Sequence, residues 1–370
     1  MKHICHITTV HPERDTRIFY KECKSLASNG NKVTLLVVNG DSFEEDGVQV
    51  TSLPCKFKGR IQRFRKASKT AFKKALEINA DIYHFHDPEF LVAASKLVKR
   101  GCKVIYDVHE DLPRQLLSKH YIPKYLRKPV SVFVEKLENR YARQMTGIVT
   151  ATDFIRDRFL QFHNKVESIK NYPILPAISN ESKLKANKNA EIVYVGSITN
   201  ERGLTELIKA LELTKTDIRL NLAGKYAPEE YRNELVKLRG WEKVNEIGFA
   251  NRVKVRELFQ KSFAGMVTLH PIINYLDALP VKMFEYMADK LPVIASDFPL
   301  WKEIVEGNNC GICVNPMDPE AIANAINWIY EHPDEAEEMG QNGLKAVHEI
   351  YNWAIEEKKL INFYNNLLNN

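Results

Sequence analysis

Short apolar runs alternate with helix-length amphipathic segments along almost the whole chain, and this alternation restricts the fold more than any other feature of the sequence. Strand, helix and strand repeated in this way form parallel sheets with helices on both faces. The predicted strands are 4–8, 32–38, 81–86, 103–108, 147–150, 192–195, 218–223, 264–269, 293–296 and 311–314. The predicted helices include 17–28, 90–98, 204–213, 253–261, 281–289 and 319–330. The sequence therefore predicts an α/β protein built on doubly wound parallel sheets.

The pattern is interrupted once, which predicts two domains. The stretch 168–190 contains Asn171-Tyr172-Pro173, Pro176 and a tail rich in Lys, Asn and Ser, as linkers do. We predict domains at 1–170 and 191–350, a linker at 171–190 and a terminal helix within 351–370 that crosses back to the first domain. Ligands of such sheets bind at the carboxyl ends of the strands, so two facing domains would form a binding cleft.

Composition indicates an ordinary globular protein. Hydrophobic residues make up 44% of the 370 residues and charged residues 27%, and six cysteines are thinly spread. Because a chain of this length does not need disulfide bonds for stability, a reducing compartment is the simpler interpretation. The first residues run directly into a predicted strand, without the pattern of a secretory signal, and no apolar run approaches the ~18 residues of a membrane span. These features predict a cytoplasmic location.

The formal net charge of +6 is concentrated in two places. Between Lys56 and Lys74 there are nine basic residues and no acidic one, and a second basic and aromatic stretch occupies 120–128. The first stretch has near-helical apolar spacing, so it is either a solvated helix face or a contact with anionic lipid headgroups. Nucleic acid is not a predicted partner, because no nucleic-acid-binding motif accompanies the charge.

The stretch 274–288 is the most informative for chemistry. Pro280 suits the first turn of a helix that follows a strand, and the free N–H groups there can bind phosphate. Glu285 lies in or just beyond this turn, where a carboxylate can accept hydrogen bonds from two adjacent sugar hydroxyls. The alternative is a capped core helix with one exposed acid.

The same stretch resembles the E-x7-E segment of the retaining glycosyltransferase family 4, which has the GT-B fold of two Rossmann-like domains. Asp277 and Glu285 are eight residues apart, and further similarity covers nearly the full length in the expected order. The other similar segments are 84–87, 106–111, 194–203, 291–296, 306–311 and 318–320.

The resemblance implies a role for each matching residue. Glu285 would hold the ribose hydroxyls of a nucleotide, Asp277 would contact the donor sugar, and His109 would reach the donor sugar and the reaction centre. Arg202 stands where the family usually has a lysine that neutralises the departing diphosphate. The remaining predicted donor-binding residues are Gly196 and Ser197 after a strand, and Leu279 and Val281, whose backbone amides would meet the diphosphate.

Two residues depart from the family pattern. Asp277 replaces the usual first glutamate, and Ser197 stands where an arginine commonly neutralises phosphate. We expect Lys282 to replace the missing cation, which makes it a predicted catalytic residue with His109 and Arg202. The departures also motivate two alternatives: a catalytically inactive nucleotide-sugar-binding subunit, and a GT-B nucleotide-sugar epimerase.

Three residues are predicted on the acceptor side. Asp15 and Arg17 lie in the loop after the first strand and would shape the acceptor or donor-sugar pocket, unless Asp15 or its neighbour only caps a helix. His86 is a strand-end histidine expected to line the cleft. His84, His86, His109 and Asp111 would also suit a hydrolase metal site, but the resemblance implies no metal. Cys310 and Cys313 have redox-motif spacing, and packing is the favoured interpretation.

Together these features predict a metal-independent retaining glycosyltransferase without a cofactor. It would transfer a sugar from a nucleotide diphosphate sugar to a surface polysaccharide acceptor that is lipid-linked. The basic stretch between Lys56 and Lys74 would attach it peripherally to an anionic membrane surface.

Overall fold

Two parallel sheets, one in each half of the chain, organise the described residues. The computed structural model describes residues 1–119, 122–175, 190–215 and 217–368, apart from the side chains of residues 60 and 61. One unit comprises Met1–Asn171 with Trp353–Asn370, and the other comprises Tyr172–Asn352. Most of the predicted linker (176–189) and the first two residues of the stretch 120–128 lie outside the described residues.

The first sheet comprises eight strands within these described ranges: β1 (His3–Ile7), β2 (Lys32–Val38), β3 (Phe43–Glu45), β4 (Val48–Leu53), β5 (Ile82–Phe85), β6 (Lys103–Val108), β7 (Gly147–Thr150) and β8 (Val166–Ser168). Their order is β3-β4-β2-β1-β5-β6-β7-β8. Every pair is parallel except β3 and β4, which form an antiparallel hairpin at the edge.

The second sheet comprises six described strands: β9 (Glu191–Val195), β10 (Arg219–Ala223), β11 (Val244–Gly248), β12 (Ala264–Val267), β13 (Val293–Ser296) and β14 (Gly311–Val314). Their order is β11-β10-β9-β12-β13-β14, and all pairs are parallel. The predicted fold class, with two Rossmann-like parallel sheets, is confirmed.

Helices cover both faces of each sheet. In chain order the α-helices are α1 (Lys24–Ser28), α2 (Gly59–Ile78), α3 (Leu91–Val98), α4 (Leu112–Ser118), α5 (Lys124–Ala142), α6 (Asp153–Leu160), α7 (Leu204–Glu212), α8 (Tyr231–Leu235), α9 (Arg252–Lys261), α10 (Val281–Ala288), α11 (Pro299–Val305), α12 (Pro319–Glu331), α13 (Pro333–Glu349) and α14 (Trp353–Leu368). In the second unit, α7 and α12 pack on one face, and α10 and α11 pack on the other.

The face of the first sheet that carries the polar residues is covered by two elements distant in sequence. The segment Thr16–Cys23 and helix α14 share one hydrophobic cluster with alternate residues of β1, β5 and β6. Trp353 at the start of α14 donates a hydrogen bond from Nε1 to Ser25 Oγ at 2.9 Å. Near the end of α14, the Leu367 carbonyl accepts a bond from Lys103 Nζ at 2.6 Å.

The structure differs from the predicted elements in two respects. The predicted helix 17–28 is a segment of wide, π-helical turns at Thr16–Cys23 that continues into α1. The wide turns place Arg17 and Glu22 together, 3.0 Å apart, beneath the sheet. The strands β3, β4, β8 and β11, which lie at or next to the sheet edges, are not among the predicted strands, because they are short or mostly polar and lack a long apolar run.

Candidate functional site

The loop after β9 brings two cationic side chains together in the second unit. Gly196 has a φ of 137°, and a Cβ at this position would lie 3.2 Å from Lys282 Nζ and 3.8 Å from Arg202 Nη1. Because glycine has no Cβ, this loop leaves the space beside both cations open. Tyr194 fixes the loop by donating a hydrogen bond from its hydroxyl to the Ser197 carbonyl at 2.7 Å. Four predicted residues, Gly196, Ser197, Arg202 and Lys282, therefore lie in one place.

Gly203, directly after Arg202, allows the start of α7 to approach the end of β12 closely. Its φ is 73°, and a Cβ there would lie 1.8 Å from the Thr268 carbonyl oxygen. Only glycine is compatible with both conditions. The close approach holds Arg202 beside the end of β12.

Lys282 is buried without a counter-ion within hydrogen-bonding distance. Its ammonium lies 3.6 Å from the centroid of the Tyr194 ring and has no hydrogen-bond partner among the described residues. Burial lowers the pKa of Lys282 well below its ordinary value, repulsion by Arg202 adds to this, and Glu285 partly opposes it. A buried cation left without a partner is costly, so this arrangement favours the binding of an anion.

Helix α10 presents its amino terminus at the same place. Pro280 is the N-cap residue of α10, one position before the predicted first turn, and Lys282 lies in the first turn. The first N–H groups of a helix have no partner within it and carry the positive end of the helix dipole. Leu279 and Val281 flank Pro280, while Asp277 and Glu285 are half-buried before and within the helix. The segment therefore supplies free N–H donors at the amino terminus of α10, with one carboxylate before the helix and one within it.

A carboxylate–histidine pair near this loop was not predicted from the sequence. His270 Nε2 lies 2.8 Å from Glu206 Oε2, and the His270 backbone N–H donates to the Glu201 carbonyl. Burial raises the pKa of Glu206, but the bond from His270 outweighs it and the pKa is lowered overall. The sequence feature that could have indicated this pair is His270, which directly follows the predicted strand 264–269. Ligands of such sheets bind at the ends of the strands.

In the first unit, Asp107 is the centre of a hydrogen-bond network. Arg17 donates from Nε and Nη2 to its two oxygens at 3.1 and 2.9 Å. His86 Nδ1 and His109 Nε2 lie 3.0 and 2.8 Å from Asp107 Oδ2. Burial alone would raise the pKa of Asp107, but Arg17 and His109 hold it well below its ordinary value. His109 is thus fixed by a buried carboxylate, while its side chain stays 18% exposed.

Arg17 is buried in this network, although it was predicted on the acceptor side. It also donates from Nη1 to the Ile169 carbonyl at 2.7 Å, and its side chain is 4% exposed. Asp15 accepts hydrogen bonds from the backbone N–H groups of Arg17 and Ile18 at 2.8 and 2.9 Å. Asp15 therefore caps the segment Thr16–Cys23, as the alternative interpretation of this loop describes.

Behind His86, two more buried histidines extend the network. His86 Nε2 lies 2.9 Å from His6 Nδ1, and His84 Nδ1 lies 2.6 Å from the Tyr364 hydroxyl of α14. Burial lowers the pKa of His86 to about 4, and it also lowers the pKa values of His6 and His84 well below their ordinary value. These rings are therefore neutral at pH 7.

Two groups in this network have the composition of a metal site. The ligand atoms within each group lie within 4.8 Å of one another, and the groups are His6, Glu22, His84 and His86, and His86, Asp107 and His109. However, Arg17 Nε lies 3.0 Å from Glu22 Oε1, and a guanidinium so close to a metal ligand disfavours a bound cation. Asp111, which was included in the metal-site interpretation, instead caps α4 by accepting a hydrogen bond from the backbone N–H of Arg114.

A second histidine–carboxylate pair lies beside His109 and was also not predicted. His11 Nδ1 lies 3.1 Å from Asp87 Oδ1, and the rings of His11 and His109 are 5.0 Å apart. The sequence feature that could have indicated this pair is Asp87, an acidic residue directly after the strand-end histidine of the segment 84–87. Both imidazoles are partly exposed at the carboxyl ends of the first sheet.

The remaining predicted feature is the basic stretch, which forms most of α2. The buried face of α2 is small and apolar, with Ala67, Ala71 and Ala75, while Arg65, Lys66, Lys69 and Lys73 are exposed. No helix in the described ranges is long and apolar enough to cross a membrane.

Comparison with protein families gives two matches that together extend over most of the chain. The model described as "Glycosyltransferase Family 4" matches residues 16–171. The model described as "Glycosyl transferases group 1" matches residues 177–346. The first match contains Arg17, His86, Asp107 and His109. The second match contains Arg202, Lys282 and Glu285.

Individual relatives are distant. The O-antigen chain mannosyltransferase RfbU of Salmonella typhimurium is 23% identical over 349 residues, which cover 87% of this chain and 89% of the relative. The uncharacterized glycosyltransferase MJ1607 of Methanocaldococcus jannaschii is 27% identical over 176 residues. That match covers 47% of this chain, which spans less than half (44%) of the length of MJ1607.

Solved structures show the same fold. A sucrose-phosphate synthase from Thermosynechococcus elongatus aligns with a TM-score of 0.77 and 17% identity over 99% of both chains. WaaG, a glycosyltransferase involved in lipopolysaccharide biosynthesis, aligns with a TM-score of 0.72 and 14% identity over 96% of this chain and 98% of WaaG. With both family models matched and the GT-B fold shared, the chain belongs to the group 1 glycosyltransferases of the family 4 type.

Proposed function

We propose that this protein is a retaining glycosyltransferase that moves a sugar from a nucleotide diphosphate sugar to a lipid-linked surface-polysaccharide acceptor. The observation that carries the proposal is the convergence of Arg202, Lys282 and the amino terminus of α10 beside Gly196. A relative named as an O-antigen chain mannosyltransferase supports the acceptor class. HepE of Anabaena, of similar fold, is described in complex with UDP-glucose, which supports the donor class.

The chemistry of the reaction matches the residues of the second unit. The bond between the anomeric carbon of the donor and the diphosphate oxygen breaks, and its electron pair leaves with the diphosphate. Arg202, Lys282 and the N–H groups at the start of α10 would stabilise that developing charge without reorganisation. Glu285 would bind the ribose hydroxyls and Asp277 the donor sugar. Since positive charge is already supplied, we propose that transfer needs no metal ion.

Nucleotide binding is the first test of the proposal. Thermal unfolding is measured with UDP, GDP, ADP and CMP, for the wild type and for Glu285→Ala. A nucleotide at about 100 times its dissociation constant adds roughly 2.7 kcal/mol to the free energy of unfolding. We expect one nucleotide to stabilise the wild type and not the variant. Stabilisation by none of the four, or equal stabilisation of Glu285→Ala, contradicts the proposed donor site.

Turnover of the matching nucleotide sugar then tests the reaction. A transferase forms a new linkage with the anomeric configuration of the donor, which NMR of the product reports. An isomeric sugar without a new linkage would indicate an epimerase, and binding without turnover would indicate an inactive subunit. The rate should be unchanged by EDTA, and a loss of activity that Mn²⁺ or Zn²⁺ restores would contradict metal independence.

Membrane attachment is the remaining part of the proposal and places the enzyme at the cytoplasmic face of a membrane. The exposed cations of α2 would contact anionic headgroups, each contributing roughly 1 kcal/mol near the surface. Co-sedimentation with vesicles containing phosphatidylserine should be lost in Lys66→Glu/Lys69→Glu/Lys73→Glu. The matched control is Lys209→Glu/Lys237→Glu/Lys254→Glu, which changes three exposed lysines of the second unit. Equal binding by both triple variants would contradict this assignment.

A further inference from the structure

We propose that helix α5 inserts the apolar side chains of its exposed face into the headgroup region of an anionic membrane. This contact rests on the proposed attachment of the first unit to a membrane, and it adds an apolar component to the charged contact of α2. It lies within the first unit and involves none of the residues proposed for donor binding.

Helix α5 buries polar side chains and exposes apolar ones. Its buried residues are Ser131, Glu138 and Ala142. Ser131 donates a hydrogen bond from Oγ to the Pro113 carbonyl at 2.7 Å, and Glu138 accepts one from the Tyr106 hydroxyl at 2.9 Å. A surface helix ordinarily directs its apolar side to the core. The polarity of α5 is therefore inverted, and the packing of the first unit does not account for its outer face.

The exposed apolar side chains of α5 lie close together. Tyr125 is 78% exposed and Phe133 is 66% exposed, and Leu126, Val132 and Leu137 are exposed as well. Spacings of seven and four residues place Leu126, Phe133 and Leu137 on the same side of the helix. Soluble monomers rarely expose apolar groups in a contiguous patch, and such patches mark contacts with proteins or membranes.

The charged residues of the same face indicate which partner fits. The exposed charged residues of α5 are Lys124, Lys128, Lys136 and Arg140, and none of the exposed residues of this fully described helix is acidic. A second copy docked symmetrically through this face would bring these cations together, because such an interface pairs a patch with itself. An anionic bilayer fits both features: apolar groups enter the boundary between headgroups and acyl chains, while lysine side chains extend to the phosphates.

The outer sides of α2, α3 and α5 point in the same direction. Ala71 of α2, Ala94 of α3 and Ala142 of α5 belong to one hydrophobic cluster on a single face of the first sheet. All three helices expose cations on the opposite side, with Lys66 on α2 and Lys96 on α3 as examples. The most exposed aromatic side chains of the three helices are on α5. The cations would attract the unit to an anionic surface, and α5 would then insert into it.

Vesicle binding tests the apolar component separately from charge. The variant Tyr125→Ser/Phe133→Ser/Leu137→Ser keeps every cation of α2 and α5. With vesicles of phosphatidylserine and phosphatidylcholine, we expect it to bind about tenfold more weakly than the wild type, or weaker still. Its melting temperature and its stabilisation by nucleotide should stay unchanged, because the three side chains are exposed.

The matched control is Leu213→Ser/Val253→Ser/Ile350→Ser, which changes three exposed apolar residues of the second unit. It should bind the same vesicles as the wild type does. Equal binding by the two triple variants overturns the insertion of α5 and leaves only the charged contact of α2.

Tryptophan fluorescence reports the insertion directly. In the presence of anionic vesicles, Phe133→Trp should show blue-shifted emission and quenching by brominated acyl chains beyond that of the native tryptophans in the wild type. Val253→Trp, at a position of the second unit that is 70% exposed, is the control and should show neither effect. Emission from Phe133→Trp that vesicles leave unchanged overturns the proposal.

Sedimentation velocity without lipid tests the second copy as the partner. A wild-type dimer that the α5 triple variant converts to a monomer assigns this face to self-association and overturns the membrane contact. Absence of nucleotide binding and of sugar transfer overturns the proposed transferase, while the vesicle and fluorescence results still decide the role of α5. A wild type that transfers sugar but binds no anionic vesicle overturns the membrane contact alone.

Discussion

At the scale of single residues, the two units differ in whether a buried basic side chain has hydrogen-bond partners. Arg17 is buried between carboxylates and a carbonyl group that satisfy its donors. Lys282 is buried next to another cation and has no hydrogen-bond partner within the described residues. The first arrangement stabilises the native state, and the second costs stability that the diphosphate of the proposed donor would recover on binding.

Replacement of Lys282 should therefore separate stability from activity. We expect Lys282→Met to lower turnover by about 10²-fold, the order seen when one transition-state donor is removed. The melting temperature should stay the same or rise, because a buried cation without a partner is replaced by an apolar chain of similar size. Lys209→Met, on the exposed face of α7, is the control. Unchanged turnover in Lys282→Met would contradict its role as the replacement cation.

Replacement of Arg17 should have the opposite outcome. Arg17→Ala leaves Asp107 buried without its main counter-ion, and such a loss costs about 3–5 kcal/mol of unfolding free energy. Arg14→Ala breaks a surface ion pair with Glu45 and should cost at most about 1 kcal/mol. Urea unfolding measures both. An Arg17→Ala protein of wild-type stability with altered acceptor kinetics would favour the acceptor-side prediction instead.

At the scale of elements, the polar face of β1, β5 and β6 makes the first unit sensitive to acid. Residues alternate between the faces of a strand, so His6 and His84 lie on the same covered face, in register as neighbours. His86 continues this face beyond β5. All three rings are buried.

We expect the stability of the protein to decrease as the pH falls from about 6.5 towards 4. The pKa of His86 is about 4 in the folded state, whereas the unfolded chain protonates its histidines near 6.5. Between these values the unfolded state binds more protons, so stability falls by roughly 1.4 kcal/mol per pH unit for each such histidine. His11, whose pKa is raised, changes its contribution only above about 6.5. The buried Glu22 and Glu138, whose pKa values burial raises, act in the opposite direction within this range and are outnumbered by His6, His84 and His86. Urea midpoints that are equal at pH 7.5 and 5.5 would contradict this expectation.

At the scale of the whole molecule, the last helix belongs to the first unit although it follows the second in sequence. Leu360 is fully buried in the cluster that also contains Ile4 and Ile105. A Cβ on Gly147 of β7 would lie 2.7 Å from the Phe363 ring, so α14 packs directly on the sheet. The core of the first unit is therefore complete only when α14 is in place.

Shortening a buried side chain of α14 should destabilise the first unit and leave the second unit unchanged. Leu360→Ala should cost about 2–5 kcal/mol, the range for a buried leucine, and hydrogen exchange should show the loss in β1, β5 and β6. Leu213→Ala, at a position that is 48% exposed, is the control and should stay within about 0.5 kcal/mol. Equal losses of protection in β9–β14 would contradict the assignment of α14 to the first unit.

Much of the architecture followed from the sequence because its signals are local. Apolar runs of four to eight residues marked the central strands, which are buried on both faces and need a continuous apolar stretch. The stretch 319–330 became α12 (Pro319–Glu331), where Asp318 accepts the first N–H bonds, as its position before a proline suggests. The cationic stretch between Lys56 and Lys74 lies mostly in α2. Its helical spacing could also be predicted, because that spacing is a property of residues close together in the sequence.

Other features were decided only by the tertiary structure. His6, His84, Asp107 and Tyr364 are up to 358 positions apart, and nothing local signals that they share one network. The pairing of His11 with Asp87 depends on two strand ends being neighbours, and the burial of Lys282 depends on the loop after β9. By itself the sequence determined the hydrophobic pattern of its strands and helices, the order of its motifs and the family. Which side chains meet, and which charges are left without a partner, depended on packing between residues distant along the chain.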